Sequence, residues 1–206
     1  MRNDPEIRDL PCCRVDHCCP DERANFRPGQ SLFVSPSLAT GLYTQTKVKN
    51  SPGTSATSMA AGGVFLRAIV TNQATGVVTV GYPVAACSPD ILGCHTDLSG
   101  NFGVVLDSRV QALTQSIGDC IVAVTGRGSG TCAFDLTTDL ILKTTSAHTF
   151  NFIFPSVGQG SYTEAIQAAV NADAIVSGFG TAAGAAAYGL GSLTVESVRL
   201  VRDFSF

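Results

Sequence analysis

The chain reads as all-β: a jelly-roll-like antiparallel β-sandwich behind an extended N-terminal arm. Three observations carry this. From Ser31 onward, short alternating or apolar runs are separated by Gly, Pro, Ser and Asn, which is the pattern of strands and turns. Before that point Pro5, Pro11, Pro20 and Pro28 punctuate a polar segment. Proline at such intervals excludes helix and sheet interiors and favours extended chain. A length of 206 residues suits one domain with a substantial core plus an arm.

The arm, residues 1–29, carries charges and four cysteines between few apolar residues. Extended at ~3.3 Å per residue it reaches roughly 90 Å, further than the radius of its own domain. It reads as a connector, and residues 30–206 as the β-sandwich domain.

Within the domain the candidate strands are SLFVS, GLYTQTKV, GVFLRAIVT, GVVTVGY, NFGVVLD, DCIVAVTG, TCAFDL, DLILKTT, HTFNFIF, SYTEAIQAAV and SLTVESVRLV. Phe150, Phe152 and Phe154 fall on one face of a strand, with Thr149, Asn151 and Ile153 on the other. In the last run Leu193 and Val195 share one face while Val198 and Leu200 take the opposite parity. A bulge near Ser197 would return both pairs to the core. DSRVQALTQSIG places Val110, Leu113 and Ile117 at helical spacing behind an Asp107 cap, which fits a short helix although the stretch also partly alternates. SGFGTAAGAAAYGLG is low in complexity, made of small residues that pack closely or form a mobile loop.

Charge narrows the partners. The chain is 45% hydrophobic but only 14% charged, well below the usual ~25% of soluble domains. So neutral a surface points to cover by other subunits of the same chain. A net charge of −3 with no basic run argues against nucleic acid, which needs clustered Lys and Arg. No apolar stretch approaches the ~18 residues of a membrane-spanning helix. The start, MRNDPEIRDLPCC, has no apolar h-region and is read as lacking a secretory signal. Eight cysteines nevertheless suit an oxidising setting. Synthesis inside a cell followed by release and oxidation reconciles the two, and places the protein outside the cell or on a cell or spore surface.

Several motifs look like chemistry and read better as structure. GTSATSMAAGG, from Gly53, is similar to the nucleophile box of subtilisin-like proteases, but Ala56 and Gly62 depart from it and no Asp or His boxes exist to activate Ser58. It reads as a small-residue loop before a strand. GRGSG, Gly126 to Gly130, lacks the Lys and Ser or Thr of a phosphate loop and reads as a hairpin turn. In CHTD, Cys94 to Asp97, neighbours on extended chain point to opposite sides, so Cys94 and His95 do not make a nucleophile–base pair. His148 reads as a polar strand-end residue. No catalytic residue, cofactor or metal site is assigned, and the chain reads as a non-enzyme.

The cysteines carry the functional reading. CSPDILGC closes a tight loop, so Cys87 and Cys94 form a natural short disulfide; Cys120 and Cys132 flank the glycine turn and can face each other across a hairpin. Either pair could instead bond to the arm. In the arm, CCRVDHCC packs Cys12, Cys13, Cys18 and Cys19 around His17. Zinc is the alternative ligand there, through Cys13, His17 and one of the second pair. Structural zinc motifs, however, space ligands as C-x₂₋₄-C so that they converge on a tetrahedron, and adjacent cysteines converge poorly. A redox C-x-x-C is absent. Neighbouring cysteines on extended chain point to opposite sides, and a bond between them is strained. Each is therefore set to engage a different partner, which suits disulfides between subunits.

A cysteine-bearing arm without a signal, ahead of a neutral jelly-roll-like domain, resembles the subunits of bacterial endospore appendages. That resemblance implies pili whose N-terminal connectors join stacked subunits by disulfides. TTSAHTFNFIFPSVGQGSYTEAIQAAVNA and GSLTVESVRLV also look like the terminal strands of uncharacterised bacterial β-sandwich proteins. The expected function is a structural, self-assembling subunit of an extracellular filament or surface layer, cross-linked through Cys12, Cys13, Cys18 and Cys19. The alternatives are a trimeric jelly-roll binding module on a spore or virion surface, and an intracellular metal-binding domain.

Overall fold

Two long strands set the frame of the computed structural model, which describes residues 8–9, 30–96, 100–119, 121–123, 129–131 and 135–199. They are β2 (Gln30–Asn50) and β3 (Ser55–Asn72). Every even-numbered residue of β2 from Leu32 to Asn50 is buried, because the pleat sends alternate side chains to opposite faces. At that rise β2 alone is about 70 Å long. The remaining strands are β1 (Arg8–Asp9), β4 (Val78–Val80), β5 (Cys94–Thr96), β6 (Phe102–Ser116), β7 (Ile121–Ala123), β8 (Ser129–Thr131), β9 (Leu136–Thr149), β10 (Phe152–Val157), β11 (Tyr162–Ser177) and β12 (Gly180–Val198).

They form two antiparallel sheets packed as a β-sandwich. In the first, β11 and β6 flank β3, β4 continues the β6 side, β5 lies beyond β6, and β1 lies beyond β11. In the second, β12 flanks β2 on one side, and β9 and β10 flank it end to end on the other. β7 and β8 make a separate hairpin. Between β2 and β12 the chain changes sheet after β2, after β6 and after β11 at one end and after β10 at the other, and this winding between the sheets is what makes the sandwich jelly-roll-like. The end with the three changes is called distal here, and the end holding residues 73–96, 100–101 and 158–161 proximal. Among the described residues the one helical piece is a 3-10 turn, Val84–Ala86, and no helix is long and apolar enough to cross a membrane.

Local chemistry explains the joints. β2 runs through Pro36 although proline donates no ladder hydrogen bond. The Pro36 carbonyl accepts from Phe150 N–H at 3.1 Å, so Pro36 turns its backbone toward the junction where β9 ends and β10 begins. The missing donor falls in that break. At the distal end Gly178 turns β11 into β12 with φ +84°, and a Cβ there would lie 2.8 Å from the Ser55 carbonyl. Both facts call for glycine.

The proximal half holds the apolar core: Leu32, Val34, Leu38, Leu66, Ala68, Val70, Val84, Val104, Phe152, Phe154, Ile166 and Ala168. The phenylalanine stripe lies as expected, with Phe152 and Phe154 buried and Phe150 tilted against Phe152 at 5.0 Å.

Three expectations are corrected. DSRVQALTQSIG is β6 with its short exit, not a helix: Gln111 is buried while Val110 is 69% exposed, the reverse of what helical spacing of the apolar residues implied. GTSATSMAAGG is mostly β3 rather than a loop, because its small residues let the sheets close up. Of the two readings of TAAGAAAYGLG, close packing is the one found, as β12. Gly62 and Gly184 mark the contact: a Cβ at Gly184 would overlap the Ala61 carbonyl, and one at Gly62 would come within 3.0 Å of the Ala185 carbonyl. The bulge in β12 falls between Gly189 and Gly191 rather than near Ser197, where glycine tolerates the irregular backbone.

Candidate functional site

The two halves differ in what they hide. Distally the interior contains Thr40, Thr44, Thr46, Asn50, Ser58 and Gln111, each at most 5% exposed. Buried polar groups cost free energy unless hydrogen-bonded, and here their bonds tie one sheet to the other. Thr44 Oγ1 donates to Gln111 Oε1 at 2.7 Å, and Gln111 Nε2 donates to Thr46 Oγ1 at 2.7 Å and to the Leu140 carbonyl at 2.8 Å. Ser58 Oγ donates to the Thr181 carbonyl at 2.7 Å, and Asn50 Nδ2 to the Gln115 carbonyl at 2.5 Å.

Meanwhile large apolar side chains lie outside. Val110, Leu136, Leu140, Ile141, Leu142, Ile175, Val176 and Phe179 are 40–75% exposed, and all belong to the distal half. Leu140 and Leu142 stand opposite Thr46 and Thr44 on the inner face of β9, uncovered because β9 is the margin of its sheet. Val110 and Ile175 lie on the outer face of the first sheet, Ile141 on that of the second, Leu140 and Leu142 at the β9 margin and Val176 at the β11 margin. So many uncovered large apolar side chains at one end of the sandwich point to cover by partners.

Beside them lies a constellation the sequence did not reveal. Thr40 Oγ1 donates to Asp107 Oδ2 at 2.6 Å, Ser146 Oγ lies 2.7 Å from His148 Nε2, and that nitrogen is 3.4 Å from Asp107 Oδ2. Serine, histidine and aspartate invite comparison with a catalytic triad. A triad places the carboxylate on one ring nitrogen and the hydroxyl on the other, whereas here both meet Nε2. The cluster bonds β2, β6 and β9 to one another. His148 is thus a binding partner inside a polar knot, more than a strand-end residue. Its neighbour Arg109 donates to Thr144 Oγ1 at 2.5 Å.

The cysteines divide by location. Cys87 and Cys94 form a disulfide with Cα atoms 5.7 Å apart, closing the proximal loop that presents Ile91 and a fully exposed Leu92. With its sulfur bonded, Cys94 offers no free thiol beside His95, which stacks on Phe65 with ring centroids 3.5 Å apart. Cys120 and Cys132 lie outside the described residues; of the hairpin between them, Ile121 pairs with Thr131. Cys12, Cys13, Cys18, Cys19 and His17 also lie outside the described residues. Of the arm, Arg8 and Asp9 are described, paired with Ala168 and Gln167 at the margin of β11. Ser58, the nucleophile of the protease-like box, is buried in β3.

A shallow depression on the outer face of the first sheet is lined by Phe65, Arg67, His95, Phe102 and Gln167, with Arg67 Nε donating to Gln167 Oε1 at 2.5 Å. On the opposite face of the same sheet Glu164 pairs with Val70, beside the apolar core. Burial pushes its carboxyl up to about 7, because the charged form is penalised by lost hydration. Among the described residues no group of three or more His, Cys, Asp or Glu is arranged to hold a metal.

No protein-family model, curated protein or solved structure matches the chain.

Proposed function

We propose that the protein is a structural, self-assembling subunit of an extracellular filament or surface layer, joined to its neighbours by disulfides from Cys12, Cys13, Cys18 and Cys19. The observation that carries this reading is the distal half, where threonine and glutamine share the interior with Leu42 and Val48 while Val110, Leu136, Leu140, Ile141, Leu142, Ile175, Val176 and Phe179 lie exposed. A lone soluble domain gains by the opposite arrangement. Subunits packed side by side bury the outer apolar residues and keep the inner polar ones bonded. Low overall charge agrees, since solvated monomers rely on charge for solubility. The arm adds the covalent element: β1 pairs at a sheet margin, and a strand of this kind can lie against a neighbour's sheet as well as its own.

Native assembled material should run as SDS-resistant multimers on non-reducing gels and collapse to the 21.3 kDa chain on reduction. Negative-stain microscopy of the same material should show filaments or sheets. Monomer bands without reductant contradict the covalent linkage.

One observation favours a second reading. The depression at Phe65, Arg67 and His95 combines an aromatic floor with polar donors, as small-ligand sites do, and suits a surface binding module. Discrete trimers in the microscope, with glycan binding lost on Phe65→Ala, would support that reading instead.

A further inference from the structure

Among the described residues β9 pairs only with β2, so its other backbone edge is a template for a further strand. Natural edges are blunted by proline, bulges, brevity or charged side chains. β9 carries the charges Asp139 and Lys143 but none of the other devices: it is 14 residues long, contains no Pro or Gly, and keeps one register with β2 from Leu136 to Thr149. The other long margins are treated differently. β12 is bulged at Gly189–Gly191, β11 carries β1, and β6 carries β5 and a register shift.

The sequence of β9 supplies the occupant. Thr137-Thr138-Asp139-Leu140-Ile141-Leu142-Lys143-Thr144-Thr145 is symmetric about Ile141 in residue type, except that Asp139 on one side is answered by Lys143 on the other. Antiparallel pairing of two identical strands about a two-fold axis at Ile141 therefore matches every position. Asp139 meets Lys143 of the second copy, Leu140 meets Leu142, Thr138 meets Thr144, and Thr137 meets Thr145, each twice over. Directly opposed side chains are the unit of sheet stability, and a two-fold interface needs a patch complementary to itself. The side chains are available: Leu140, Ile141 and Leu142 are 40–50% exposed. The carbonyl of Leu140 already accepts from Gln111 Nε2, and a carbonyl has two lone pairs, so that bond and a strand–strand bond coexist.

We infer that β9 is a homotypic edge, pairing antiparallel with β9 of a second copy to make one eight-stranded sheet from two four-stranded ones. This rests on the assembly reading above and specifies one of its contacts, a symmetric one that is independent of the arm.

The test uses the full chain with Cys12, Cys13, Cys18 and Cys19 changed to serine, so that the arm contributes no covalent link. Sedimentation should show a reversible dimer. Lys143→Asp sets Asp139 against the new carboxylate at both ends of the pair and should raise the dimer Kd at least about tenfold. The double variant Asp139→Lys with Lys143→Asp restores opposite charges and should restore the dimer. Ile141→Cys, at the axis, should give an oxidised dimer through that residue, and peptide mapping of the unreduced dimer identifies the bond. A parent chain that sediments as a monomer overturns the pairing, as does a Lys143→Asp chain with unchanged affinity. If multimers of the natural chain resist reduction while this dimer responds to the charge swap, the arm linkage fails and the β9 pairing stands.

Discussion

The proximal and distal halves of this sandwich share the same central strands and solve burial in opposite ways. Proximally, Phe152, Phe154, Leu32 and Leu66 fill the space between sheets, and the fold is held by apolar area removed from water. Distally the same strands β2 and β3 present threonine, serine and small residues around Leu42 and Val48. The sheets are drawn close enough for Gly62 and Gly184 to touch backbone, and hydrogen bonds from Gln111, Thr44, Thr46, Ser58 and Asn50 replace the missing apolar contacts. Among the described residues, the buried side-chain atoms without a partner are Asn50 Oδ1, Arg109 Nη1 and Gln115 Oε1, all distal. Net gain per internal hydrogen bond is about 0.5–1.5 kcal/mol, whereas a fully buried large apolar side chain contributes about 1.5–3 kcal/mol. The proximal half is therefore the stability reserve. The distal half buries Leu42 and Val48 but leaves eight other large apolar residues exposed.

The largest expected effect breaks the proximal side of this contrast. Phe152→Ala should destabilise the domain by about 3–5 kcal/mol in chemical denaturation, because the ring is fully buried in the apolar cluster. Replacing Cys87 and Cys94 by serine should come next. Closing a loop of this size restricts the unfolded chain by about 2–3 kcal/mol, so the melting temperature should drop while linkage between subunits is unchanged. Gln111→Ala probes the distal interior. It leaves Thr44, Thr46 and the Leu140 carbonyl short of their partner and should cost about 1–3 kcal/mol. A loss as large as that for Phe152→Ala would erase the difference between the halves.

Glu164 gives a pH test on the proximal side. Its folded carboxyl titrates at about 7 against an ordinary 4.5, so between those values the folded chain holds a proton that the unfolded chain releases. Stability should fall as pH rises through that window. Glu164→Gln should melt like the natural chain at pH 4 and higher than it at pH 8; equal melting at both values contradicts the buried-carboxyl account. The smallest stability effect belongs to the distal exterior. Leu140→Ser with Leu142→Ser should change domain stability by less than about 0.5 kcal/mol while weakening assembly.

The contrast also shows what a sequence can disclose. Strand-rich architecture, the Phe150–Phe154 stripe and the Cys87–Cys94 loop were legible, because each rests on local spacing. The polar interior was not. Threonine and glutamine are ordinarily surface residues, and nothing local in SRVQALTQS says that Gln111 turns inward while Val110 turns out; that choice is made by Thr44 and Thr46 across the sandwich. Small residues misled in the same way. SATSMAAGG reads as a loop, and TAAGAAA as either close packing or a loop, when taken singly; both become strands because each is the close-packing surface of the other. The continuity of β2 was hidden by Pro36, whose tolerance depends on a strand break more than a hundred residues away. The Asp107–Ser146–His148 knot joins residues remote in sequence and left no motif to find.

The central claim is that the distal half is the face that assembly covers. Hydrogen–deuterium exchange of the full chain, compared between assembled material and the same chain dispersed under reducing conditions, tests it most directly. The account predicts added protection on assembly in peptides from β6, β9, the second half of β11 and β12, with the proximal core peptides of β10 and the first half of β3 equally slow in both states. Protection confined to the proximal half, or none in β9, would contradict it.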